Sequence, residues 1–209
     1  MGNRALANDT DLKPYLKSWA VADTSQTHLA EQTYKHLKKM SVGEFHRLIV
    51  QLKTHLTKHY DERIWVRSMM FEVFGKIELA IWKSENRPKD AALVFKGIKI
   101  ANRLKDEQLK AELFALYAEL FPRTSNYTLY NLKAIALQNK IGVAHFVFVA
   151  NRYYNVAYGL YLNEDYRQSV NYALTGLSLE NGDISSFNQK LYVLLNDVVA
   201  SCYFRDYLT

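Results

Sequence analysis

Asn151, Tyr154, Asn155, Tyr158 and Tyr161 recur at spacings of three and four, so a helix through them would carry the side chains on one face. Tyrosine offers a large contact area with little entropy lost on ordering, and an asparagine amide can both donate to and accept from an extended backbone. The combination suits peptide capture. His55 and His59, four apart, could share a face as two metal ligands, but no glutamate–histidine zinc motif surrounds them and only Asp61 or Glu62 lies near enough to be a third. A solvated helix end is the simpler reading. His28, His36, His46 and His145 have no partner that spacing identifies. The single cysteine, Cys202, excludes an internal disulfide and a cysteine zinc cage, and its place on an apolar helical stripe predicts a buried, inert thiol. Neither a glycine-rich phosphate loop nor a nucleophile elbow is present, so no catalytic residue, metal or cofactor is expected.

The elements that must position these groups are helices. The chain has 209 residues, 49% of them hydrophobic, with only 3 prolines and 8 glycines, a composition suited to long helices joined by short turns. Phe45, Leu48, Ile49, Leu52 and Leu56 form an apolar stripe preceded by the capping pair Ser41 and Glu44. Asp61 caps the next segment, which runs apolar from Val66 to Ile81. Pro88 opens a helix to Leu104, Asp106 caps one that ends at Pro122, and Thr124 to Asn126 start one that stops at Gly142. Helices are then expected over Val143–Asn163, Tyr166–Glu180 and from about Ser186, with Asn181 and Gly182 at a left-handed turn. Upstream, Leu12–Ala22 and His28–Met40 read as two more.

The formal net charge of +6 is uneven: about +4 over residues 1–60, about +2 over 61–125, and balanced thereafter. The densest basic run, Lys35, His36, Lys38 and Lys39, is short and reads as a solvated face, so nucleic acid is not the expected partner. No stretch approaches the roughly 18 apolar residues that cross a bilayer, and Met1 to Arg4 lack a basic-then-apolar export signal.

Turns after Leu104, Lys140 and Asn181 recur at roughly 36 to 41 residues, the period of stacked helical hairpins. The stretch from Tyr153 through Ala157, Leu160, Tyr166, Ser169, Ala173 and Gly176 to Leu179 resembles a tetratricopeptide repeat over its full length. Ala157, Ser169 and Gly176 are small where antiparallel helices must approach, while Tyr153, Leu160 and Tyr166 fill the space between them. Weaker copies span Arg63 to Leu104 and Glu107 to Lys140, and Leu195 to Phe204 resembles the first helix of a further repeat that lacks its partner, as in a fragment of a longer protein. The resemblance covers about two thirds of the chain. It implies an all-α, right-handed superhelical stack of antiparallel hairpins, with an N-terminal helical region over 1–60 stacked on repeats over 61–209, the last truncated.

In such stacks the first helix of each hairpin lines a concave groove, which would expose Asn151, Tyr154, Asn155, Tyr158 and Tyr161 to a peptide or protein segment. Asn155 matches the asparagine with which peptide-gripping repeats of this family hold their ligands, although the cations of a carboxylate clamp are missing around it. The alternative is that several of these tyrosines pack against the next repeat. The chain is also similar to the tetratricopeptide sensor regions of bacterial two-component histidine kinases. That resemblance implies a non-catalytic, extracytoplasmic sensor, with an export signal upstream and a membrane span downstream, whose occupancy alters curvature or homodimerisation. The alternatives are a cytoplasmic peptide receptor or adaptor coupled to a transcriptional regulator, and an RNA-binding helical repeat.

Overall fold

The computed structural model describes residues 12–20, 36–180 and 189–208. Among them every regular element is helical, and within each of two units the helices pack on one another. The chain divides into two compact units, residues 1–106 and 107–209.

In the first unit, α1 (Lys13–Trp19), α2 (Val42–Lys58) and α4 (Arg87–Arg103) each pack on α3 (Glu62–Glu78). α2 starts where its sequence demands. Glu44 N–H donates to Ser41 Oγ at 3.3 Å while Ser41 N–H donates to Glu44 Oε2 at 2.8 Å, so two otherwise orphaned amides are satisfied. Asp61 caps α3 through the amide of Ile64 at 2.8 Å. The stripe Phe45, Leu48, Ile49 and Leu52 is buried as its period requires, against Tyr15, Trp19, Ile64 and Phe71. α3 ends at Glu78, short of the expected Ile81, because Ala80 turns to φ 53° and the amides of Ile81 and Trp82 fold back onto Lys76 O. The helix expected over Leu12–Ala22 appears as Lys13–Trp19, and of that expected over His28–Met40 residues 36–39 are helical; residues 21–35 and the expected turn at Asn181 and Gly182 lie outside the described residues.

Two ion pairs in this unit tie the end of α4 and the turn after it to α3: Arg103 to Glu62 and Asp106 to Arg63. A third group joins all three long helices, since Glu72 on α3 accepts from Lys53 at 2.8 Å and Lys76 at 2.9 Å, and Lys76 lies 3.8 Å from the buried Asp90. Burial alone would raise the Glu72 carboxyl, but the two lysine hydrogen bonds outweigh it and hold the group below its ordinary value of 4.5. A carboxyl lowered in the folded state stabilises fully above its unfolded value, and that stabilisation is lost as the pH falls through the folded value. Glu72→Gln is therefore expected to flatten the decline in urea-melt stability below about pH 4.5. An unchanged acid limb would show that the lysines do not hold Glu72.

The second unit is built of hairpins. α5 (Glu107–Glu119) pairs with α6 (Ser125–Ile141), α7 (Val149–Leu162) with α8 (Tyr166–Glu180), and α9 (Gln189–Leu208) packs on both α7 and α8. α6 also packs on α7, so each hairpin adds to its predecessor. The close approaches fall at the small residues. A methyl on Gly159 would overlap Thr128 Oγ1, and one on Gly176 would lie 3.0 Å from Leu195 and 3.2 Å from Tyr153. Ser169, fully buried, donates to Ala157 O at 2.7 Å and accepts from Cys202 Sγ at 3.3 Å, linking α7, α8 and α9 in one relay.

The expected helix start at Val143 is corrected to Val149. Gly142 ends α6 at φ 114°, Val143–His145 form a single 3-10 turn, and Phe148 enters α7 at φ 57° without a side-chain cap. The detour buries Phe146, over whose ring the guanidinium of Arg152 sits at 5.2 Å.

Candidate ligand-binding surface

α7 delivers the five residues singled out by spacing, but to different environments. Asn151, Tyr154, Tyr158 and Tyr161 are half-buried, whereas Asn155 is 7% exposed. Tyr154 and Tyr158 stack at 5.9 Å with 17° between their planes, Tyr158 and Tyr161 at 6.5 Å and 23°, and Tyr161 meets Tyr166 of α8 at 5.8 Å and 52°. The result is a ladder of rings along one side of α7. Part of each ring lies on the buried cluster of Ala157, Ala173, Leu191, Leu195 and Val198. The ladder thus packs against α8 and α9 and keeps a share of each ring outside.

Asn155 points between helices. Its amide donates to Glu119 Oε1 of α5 at 2.9 Å and lies 3.5 Å from Asn131 Oδ1 of α6, and Asn131 in turn donates to Tyr127 O at 2.9 Å. One asparagine therefore bonds to both members of the preceding hairpin. The charged group that Asn155 meets is the carboxylate of Glu119. The Tyr127 hydroxyl is pushed well above its ordinary range by burial, then by the negative charge of Glu119 and by Tyr154 and Tyr158. Tyr154 is raised by burial, then by Tyr158 and by Asp197 of α9. These phenols stay protonated and keep their donor hydrogens.

Glu119, Tyr127 and Asn131 were not legible as members of this site. They lie 24 to 36 residues from their partners, and only the hairpin geometry brings them to α7. A second aromatic group, Phe114, Tyr117 and Tyr130, lies on α5 and α6, with Lys133 4.4 Å above Tyr130 and 5.8 Å above Phe114. His55 and His59 come together, ring centroids 5.1 Å apart, at the end of α2, and no group of three potential ligands surrounds a metal-sized space among the described residues. Nor is any helix among them long and apolar enough to cross a membrane.

No protein-family model matches the sequence, and no curated protein matches it either.

Proposed function

We propose that the chain is a non-catalytic binding protein of the tetratricopeptide type, whose tyrosine ladder on α7 takes an extended peptide or protein segment bearing basic side chains. The observation that carries this reading is the partly exposed stack of Tyr154, Tyr158 and Tyr161 beside Glu119 and Asp197. Guanidinium groups stack on tyrosine faces and pair with carboxylates, so a strand with arginine at alternate positions would meet both chemistries at once. The serial packing of α5 to α9 and the small residues at each close approach support a superhelical stack. The resemblance to sensor-kinase repeat regions supports a bacterial signalling role in which occupancy changes the fit of α9 on α7.

The test is calorimetric titration with a peptide of about ten residues alternating arginine and serine, against the same peptide with glutamate for arginine. The arginine peptide is expected to bind and the glutamate peptide not to. Tyr158→Ala should weaken binding about tenfold, or about 1.4 kcal/mol, while shifting the melting temperature by less than about 4 °C. Equal binding of the two peptides, binding of neither, or a much larger thermal shift would return the ladder to a purely packing role.

A further inference from the structure

The unit formed by residues 1–106 contains a cavity of about 260 Å³ between α2, α3 and α4 that the tyrosine ladder does not share. Its walls are apolar, with Leu52 and Met69 buried and Leu56, Trp65 and Leu93 partly so. Its polar groups are arranged asymmetrically. Ser68 is 7% exposed and its Oγ, buried among these walls, has no hydrogen-bond partner, which costs the fold unless something entering the cavity supplies one. At the rim, Lys53 and Lys76 are already neutralised by Glu72 and Asp90. Lys89, exposed on the same rim, has no ion-pair partner among the described residues. A further ammonium, Lys96, covers one face of Trp65 at 4.6 Å.

We propose that this cavity binds an aromatic carboxylate: a flat ring between Leu52, Leu56, Trp65 and Met69, a ring N–H or O–H on Ser68, and the carboxylate on Lys89. The size agrees, since an apolar cavity of about 150 Å³ holds benzene and the present one has room for a bicyclic ring with a short side arm. The sign of the rim agrees as well, because the remaining cation is unneutralised while both carboxylates are spent on lysines. Ring burial would supply affinity, and the two polar ends would fix direction.

Such an acid could arrive free or as the C-terminal residue of a peptide, so calorimetry on the full chain uses three probes: indole-3-propionate, the tripeptide Gly-Gly-Trp, and neutral 3-ethylindole. At least one of the two acids is expected to bind saturably below about 1 mM, with 3-ethylindole at least tenfold weaker. A tripeptide at least tenfold tighter than the free acid identifies a peptide C-terminus, and the reverse or equality identifies a free acid. Ser68→Ala should weaken the acid about threefold to tenfold, and Lys89→Glu at least tenfold. Both substitutions leave the fold intact, since one removes an unpaired hydroxyl and the other an exposed amine. Binding of neither acid, or affinities indifferent to the carboxylate and to Lys89, would overturn the assignment.

Discussion

Gly159→Ala is expected to destabilise the second unit by about 1 to 3 kcal/mol, and to do the opposite once Thr128 is gone. Alanine is ordinarily the better helix residue by about 1 kcal/mol, so the sign of the change depends on what the added methyl meets. On α7 it meets Thr128 Oγ1 of α6, a short, buried, β-branched side chain with little freedom to retreat. That hydroxyl has no hydrogen-bond partner, so Thr128→Ala should itself be nearly neutral. In its background Gly159→Ala should gain up to about 1 kcal/mol. Thermal melts of the four proteins form a double-mutant cycle, and simple additivity would mean that α6 and α7 do not touch at this point.

Phe71→Ala should cost the first unit about 3 to 5 kcal/mol. Phe71, 4% exposed, meets the rings of Tyr15 at 5.7 Å, Trp19 at 5.8 Å and Phe45 at 5.9 Å, and so joins α1 and α2 to α3. Each edge or tilted ring pair adds about 0.5 to 1.5 kcal/mol beyond the area it buries. α1 is short and depends on these rings, together with the 2.6 Å hydrogen bond shared by the Tyr15 hydroxyl and His36 Nδ1. Urea unfolding followed by tryptophan emission reads the change directly, because Trp19 stands against the deleted ring. A loss below about 1 kcal/mol would show that α1 docks by other means.

Much of the helical layout was legible because the relevant signals are local. Ser41 and Glu44 form their capping box, Asp61 caps α3, and the Phe45 stripe is buried, each set by neighbours within one or two turns. The start of α7 was not legible. The run from Val143 to Phe148 is apolar enough to pass for a helical turn, and only the positive φ of Gly142 and Phe148 breaks it. The tyrosine spacing did place Tyr154, Tyr158 and Tyr161 on one face. What spacing could not supply was Asn155's turn inward to Glu119 and Asn131, or the burial of Arg152, because both depend on a hairpin met only in three dimensions.

The relay from Cys202 through Ser169 to Ala157 equips the second unit with its own reporter. Cys202 carries the chain's single thiol and is 1% exposed, so a thiol reagent reaches it only when α9 lifts away. Its labelling rate therefore measures how often that helix opens, without an engineered probe, and a guest that clamps α9 onto α7 slows the clock.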